Sequence, residues 1–313
     1  MKKILIILTV LLTLSATSGC TLLKVSLVDE MQPLTEQVIS GAGTDKVLLL
    51  DISGFITAQE SGSLLGGKKQ PGTLARVREE LDRARQDKDV KAIVLRINSA
   101  GGGVTASDML FHEIRKYRQE TGVKVLAHVM DMGTSGAYYA ALAANRIIAQ
   151  PTSVLGSIGV IMFRVDASGL MQKIGVQAIE ISSGERKGMG SPFRPVSAEE
   201  RAIFQGMIDS LQARFVNTLA AERQLSPEAA RNLADGRIYT SQEAQALGLI
   251  DGTGYVDDAI TQAMKLAGIG RASIVTYSRP GEYRANLYSV NLINIDMGAM
   301  LQPGASFMYL WWP

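Results

Sequence analysis

The sequence predicts an α/β protein built on a parallel sheet, and three observations carry that expectation. Val47–Ile52, Lys91–Ile97 and Val123–Val129 are nearly continuous apolar runs of strand length, as expected of strands covered on both faces. Between the first two, Leu74, Val77, Leu81 and Ala84 recur at three- and four-residue steps with charges interposed, the period of an amphipathic helix. The corners that follow the second and third runs, Asn98–Gly103 and Gly133–Gly136, are rich in glycine and serine. In a parallel sheet, functional groups gather at the carboxyl ends of strands, where both corners fall.

Taken in order, residues 21–45 mix polar, Gly and Pro positions without periodicity and read as a tether. The first strand follows, then a loop by composition over 58–72, the helix through Leu74–Ala84, and the second strand. A helix is expected from about Ala106 to Gln119, and an alanine-rich one over Ala137–Ala144 after the third strand. Arg146–Ala149 and Gln177–Ile181 read as further short strands. Ser197 and Glu200 have the spacing of a capping box, opening a long helix predicted to bury Phe204, Ile208, Leu211 and Phe215. Ser226-Pro227 starts another helix, and Thr240 with Glu243 caps a third that Gly248 ends. No internal repeat interrupts 46–270, which is expected to be one catalytic domain. Residues 271–313 form an extension whose charge thins after Arg284 and whose end, Phe307–Pro313, holds both tryptophans. Three roles stay open for that apolar end: core packing, membrane contact, or a plug in the peptide groove of a neighbouring subunit.

Composition narrows the function. The 313 residues are 46% apolar and 20% charged, with a net charge of +2. Basic and acidic side chains alternate, which argues against a nucleic-acid surface. A single cysteine allows neither an internal disulfide nor a cysteine-based zinc site, and His112 and His128 make no ligand cluster, so no metal or other cofactor is expected. Lys2-Lys3, the apolar run Ile4–Leu14 and the small residues up to Gly19 have the layout of an export signal over 1–20. Cys20 stands where a lipoprotein signal places its acylated cysteine, although Thr17 replaces the usual leucine. Lipidation at Cys20, an uncleaved anchor and simple secretion all put the folded part outside the cytoplasm.

Chemistry is concentrated at the two corners. Ser135, between glycines at a strand-to-helix turn, has the access and the neighbouring N–H groups that a nucleophile needs. Ala137 makes it miss the G-x-S-x-G elbow, and a serine that merely caps a helix is the plain alternative. Gly101–Gly103 lacks the Gly-Lys-Ser/Thr of a phosphate cradle and the spacing of a dinucleotide fingerprint. What remains is a tight turn, or a backbone N–H offered to an oxyanion. His128, near a strand end, is the histidine that competes for the role of base.

Five segments occur in order: Asn98–Val104, Thr134–Tyr139, Gly156–Val160, Ser183–Lys187 with Met189–Phe193, and Asp235–Thr240 with Leu247–Asp251. Together they resemble the signal peptide peptidase SppA family of serine peptidases in its short, single-repeat form, over about 46–265. The resemblance implies the ClpP/crotonase-like fold of stacked ββα units with helical C-terminal elements, and a Ser–Lys dyad without histidine. It implies Ser135 as nucleophile, Lys187 as general base, Ser157 as the hydroxyl that orients the lysine, and Gly102 and Gly136 as oxyanion donors. Ala100 stands where the family usually has proline, and Thr134 and Ala137 where alanine and glycine are common. The expected protein is an exported, membrane-tethered endopeptidase, homo-oligomeric, acting on hydrophobic peptides such as cleaved signal peptides. Its rivals are a catalytically silent scaffold of the same fold and a crotonase-type acyl-transfer enzyme, the latter disfavoured by export.

Overall fold

The computed structural model describes residues 32–60, 71–280, 282, 286–289 and 306–311, so Cys20 and the export segment lie outside the described residues. Strand β1 (Thr35–Gly41) is followed by β2 (Lys46–Ile56), helix α1 (Thr73–Gln86) and β3 (Val90–Gly103). Next come α2 (Val104–Thr121), β4 (Lys124–Thr134), α3 (Gly136–Ala141), β5 (Arg146–Ala149), β6 (Val154–Gly156) and β7 (Ile161–Phe163). A short α4 (Ser168–Lys173) precedes the long α5 (Ala198–Arg223), α6 (Pro227–Asn232), β8 (Ile238–Thr240), α7 (Ser241–Ala246), β9 (Gly252–Thr253), α8 (Val256–Ala267), β10 (Ser273–Ser278) and β11 (Ser306–Leu310). This is an α/β fold, as expected.

The main path of the sheet runs β1-β10-β2-β3-β4-β5-β9, parallel throughout except where β1 meets β10. The continuous apolar runs are explained by burial on both faces. Leu48, Leu50 and Ile52 point into the larger core with Ile93, Leu95, Ile97 and the inner faces of α1 and α2. The alternate residues, Val47, Leu49, Ala92, Val94 and Leu126, pack on the other face against Val256, Ala259, Ile260 and Ala263 of α8. Further along β2 and β3, Arg96 pairs with Asp51 at 2.7 Å, both fully buried. Arg96 also donates to the carbonyls of Leu287 (2.6 Å) and Ser289 (3.0 Å), which satisfies a buried guanidinium and ties the chain after β10 to the sheet.

At their carboxyl ends β3 and β4 change partners, and that creates the site. Register shifts between Ser53 and Phe55 and between Ile97 and Ser99 bend the ladder. Beyond them β4 pairs with β6 through Met132–Thr134, and β3 pairs antiparallel with β11 through Gly101–Gly103. Asn98–Gly103 is therefore strand to its last residue, not the free turn its glycines suggest.

Three other expectations change. Thr35–Gly41, expected within the tether, is an edge strand on β10. Gln177–Ile181 forms no strand: it finds no partner, and Ile179 and Ile181 are 85% and 95% exposed. The helix after Ser197 has its capping box, but only Phe215 of its four predicted core residues is fully buried, because the first turns run along the surface. Among the described residues no helix is long and apolar enough to cross a membrane.

Candidate active site

Ser135 follows the last residue of β4 and sits at the N-cap of α3, yet its side chain caps nothing. Its backbone is at φ 52°, ψ −116°, a region in which a residue with a Cβ is strained. The surroundings hold it there: its N–H donates to Gly156 O at 2.7 Å, and its carbonyl accepts from Tyr139 N at 2.9 Å. The hydroxyl is left with one long contact, 3.5 Å to Gly159 O. A strained serine at a strand-to-helix corner with its hydroxyl unspent is the arrangement of a nucleophile elbow, not of a capping residue.

The glycine strand is brought against this corner. Gly101 has φ +105°, and a Cβ there would collide with the carbonyl oxygen of Tyr309 and stand 2.8 Å from Gly136 N. A Cβ on Gly136 would collide with Ser107 Oγ and lie 3.1 Å from the same Tyr309 oxygen. Gly102 is closed in from the other side by Ile56. Glycines at 101, 102 and 136 thus allow three backbone segments and one carbonyl oxygen to meet beside Ser135. Ser99 braces the strand: its hydroxyl donates to Gly54 O at 2.5 Å and accepts from Gly101 N at 3.1 Å.

Ser157 is also at positive φ (47°), after Gly156 at 93°, with its N–H on Arg237 O at 2.7 Å. It is buried beside the β6 end, one residue beyond the carbonyl that anchors Ser135. Lys187 is placed differently. It lies exposed in a succession of turns, its N–H on Gly184 O at 3.0 Å, and no hydrogen bond joins it to Ser135 or Ser157 among the described residues. Arg186 beside it pairs with Glu199 at the start of α5. The structure brings Ser135, Gly136 and Gly101, the neighbour of Gly102, to one place and leaves Lys187 on the surface.

The histidines are occupied elsewhere. His112 is exposed on α2. His128 is fully buried on the α8 face of β4, with Nε2 3.1 Å from Gly254 O, and burial pushes its pKa below the ordinary value.

Residue-level reading overlooked an aromatic nest next to the serine. Tyr139, one turn along α3, is buried and donates to Asp108 Oδ1 at 2.7 Å, with Thr218 Oγ1 at 3.1 Å. Desolvation raises its pKa to about 12, so it remains a neutral phenol. Arg214 holds Asp108 by two 2.9 Å bonds. Phe111 and Phe215 meet the Tyr139 ring edge-on, at centroid distances of 5.3 and 4.9 Å. The aromatic residues were visible in sequence, but their convergence depends on α2, α3 and α5 meeting, which no local spacing encodes.

A strained, buried serine between a glycine-lined strand end and a short helix defines a class: α/β hydrolytic enzymes with a serine nucleophile. Comparison with known proteins gives the particular family. Residues 117–270, which hold Ser135, Ser157 and Lys187, match the model of peptidase family S49. A protein of Methanocaldococcus jannaschii named "Putative protease" is 34% identical over 279 residues, 88% of this chain and 87% of its own. An Enterococcus faecium protein named "Putative signal peptide peptidase SppA" is 31% identical over 245 residues, 78% of this chain and 70% of its own. "Serine protease SPPA, chloroplastic" of Arabidopsis thaliana is 32% identical over 76% of this chain but only 35% of its own length. The chain belongs to peptidase family S49 and is a serine protease.

Proposed function

We propose that the protein is a Ser–Lys endopeptidase that cuts extended hydrophobic peptides, such as cleaved signal peptides, at the extracytoplasmic face of the membrane. The observation that carries this reading is the strained Ser135, whose hydroxyl is free of capping duty where Gly101 of the glycine strand meets Gly136. Ser135 Oγ attacks the peptide carbonyl while its proton passes to the neutral amine of Lys187. Gly102 and Gly136 N–H groups hold the developing oxyanion. The tetrahedral intermediate collapses, the C–N bond breaks, and Lys187 returns the proton to the leaving amine. Water then attacks the acyl ester, with Lys187 again taking the proton, and the acid product leaves Ser135 restored.

Lysine serves as a base only when neutral, which calls for removal from water. The segment that carries Lys187 is flanked by exposed Ile174, Ile179, Ile181 and Phe193, apolar side chains that a partner surface would cover. A homo-oligomer that covers this arm would bury those side chains and desolvate Lys187 in the same step. Ser157 would then orient the amine. Membrane attachment rests on the export signal and on Cys20 as lipidation site.

The decisive experiment is labelling with a serine-reactive phosphonate, followed by mass-spectrometric mapping of peptide products. Label on Ser135, and peptide cleavage lost in both Ser135→Ala and Lys187→Ala, is the expected result. A folded Lys187→Ala enzyme that still cuts would remove the lysine from the mechanism, and an unlabelled wild type would leave a silent scaffold. For the anchor, Cys20→Ala is expected to abolish metabolic labelling with palmitate; unchanged labelling overturns lipidation at Cys20.

A further inference from the structure

Two arginines outside the serine corner hold the backbone that follows Lys187. Arg164 comes directly after β7, and its side chain is only 11% exposed. Its Nε donates to Gly190 O at 3.3 Å, and one terminal nitrogen donates to the carbonyls of Ser191 and Arg194. Arg194 in turn reaches back to Gly188 O at 3.0 Å. Between them the guanidinium groups take up the carbonyls of Gly188, Gly190, Ser191 and Arg194. Neither makes a hydrogen bond to Lys187 among the described residues, and the lysine side chain stays exposed; what they hold is the turn after it.

Both arginines belong to elements that lead back to Ser135. β7 continues the segment from Gly159, whose carbonyl is the 3.5 Å contact of the Ser135 hydroxyl. Just past Arg164, Ala167 N–H donates to Pro192 O at 2.8 Å and adds a second tie between this segment and the turn. Arg194 is held by Glu200 through two bonds, of 3.0 and 2.5 Å. Glu200 is buried, and the same carboxylate closes the capping box of α5 by accepting from Ser197 N at 3.1 Å. Further along α5, Phe215 packs on Tyr139 of the helix that Ser135 opens. One route through β7 and one through α5 thus run from the nucleophile and meet on the turn that follows the lysine. Positive charge alone does not account for arginine at these places. A planar guanidinium spreads five donors over a fork and can hold several carbonyls at once, whereas an ammonium is a compact point charge.

We propose that Arg164 and Arg194 are positioning residues for the base: they carry the Lys187 loop as one preformed unit, set against Ser135 through β7 and α5. Covering the arm then delivers the amine without a search through loop conformations. The inference rests on the Ser–Lys reading and assigns the geometry of that dyad to two side chains outside it. A misplacement of about 1 Å at a reacting group costs on the order of a hundredfold in rate, so the fork and not merely the charge should matter.

The test uses the full chain and two substrates with the same acyl peptide, a fluorogenic amide and a p-nitrophenyl ester. The amide needs a proton delivered to its leaving amine, whereas the nitrophenolate leaves without one. Arg164→Lys and Arg194→Lys keep the charge and lose the fork. Each is expected to lower kcat on the amide by about ten- to hundredfold with KM changed less than about twofold. The fall on the ester is expected to be about tenfold smaller. Arg186→Lys is the control: it adjoins Lys187 but pairs with Glu199 on the surface, and both rates should stay within about twofold. A purely structural role would lower amide and ester in the same proportion. Such a parallel fall, or unchanged amide cleavage, in the folded variants overturns the inference. If one lysine variant does not fold, the other decides by the same ratio, and failure of both to fold overturns the inference in favour of a role in folding. Failure of the underlying reading looks different: a folded Lys187→Ala that still cuts the amide, or no phosphonate label on Ser135 in the unaltered protein.

Discussion

The two halves of the proposed dyad sit in opposite environments. Around Ser135 almost every degree of freedom is spent: the backbone is strained, both its peptide groups are hydrogen-bonded, and the residue is fully buried. Around Lys187 little is fixed: the lysine is exposed on turns, after a stretch in which Ile179 and Ile181 face outward. The serine is therefore organised by the fold of one chain, whereas the lysine proposed as base has no comparable framework around it. Strain of this kind costs on the order of 1–3 kcal/mol and persists because the neighbouring strands over-determine it.

The largest effect expected is the loss of peptide cleavage in Ser135→Gly, by about a thousandfold or more. The same variant sharpens the contrast, because glycine adopts φ 52° without penalty. Relief of strain should outweigh the entropy glycine adds to the unfolded chain, so Ser135→Gly is expected to be inactive yet more stable by about 1 kcal/mol. Denaturant unfolding at unchanged slope checks this. A destabilised Ser135→Gly would mean that the serine is not strained in the folded protein.

Next in size is Gly101→Ala. At φ +105°, with backbone on two sides, a methyl group there must displace either Tyr309 or the start of α3. Activity on small peptides should fall by about a hundredfold, the usual effect of misplacing one oxyanion donor. Gly122→Ala serves as the comparison: it is also at positive φ (73°) but meets nothing within 4 Å, and it should lose some stability while keeping full activity. Activity retained in Gly101→Ala would separate the glycine strand from catalysis.

The exposed half is tested by charge. Ile179→Asp with Ile181→Asp should leave the melting temperature within about 1–2 °C, since neither side chain is packed. Sedimentation should show a smaller assembly, and cleavage should fall in parallel. Unchanged size with unchanged activity would mean that the apolar arm is not what completes Lys187.

How much of this was legible in sequence follows from what is local and what is not. Two-faced burial marks β2, β3 and β4 as apolar runs, and the boxes at Ser197/Glu200 and Thr240/Glu243 form as their spacing requires. By contrast, β1 and β10 stabilise each other across most of the chain, so neither announces itself in its own segment. Gln177–Ile181 shows the reverse: a strand-like pattern needs an edge to pair with, and this one pairs with none among the described residues. At the site, Ser135 and the glycines stood out by residue type at strand ends. Tyr309 did not, because it joins the aromatic side chains around Tyr139 from the far end of the chain.

The smallest effect expected belongs to His128, and it separates an imidazole mechanism from the one proposed. Its ring is on the α8 face of β4, held to Gly254 O, while Ser135 leads into the helix packed on the other core. His128→Gln should therefore keep most of the peptidase activity and lose about 1–3 kcal/mol through imperfect packing. Its pKa in the folded protein is depressed, first by desolvation and further by Arg96, against 6.5 in the unfolded chain. Below about pH 6.5 the unfolded chain then binds a proton that the folded one refuses, so stability should decline as pH falls through that value and be level above it as far as this group is concerned. His128→Gln removes the titrating ring and should flatten the decline between about pH 6.5 and 5. An undiminished slope in the variant would assign the acid sensitivity to other groups. A folded but inactive His128→Gln would be the more serious result, since no geometry around Gly254 offers that ring a path to Ser135.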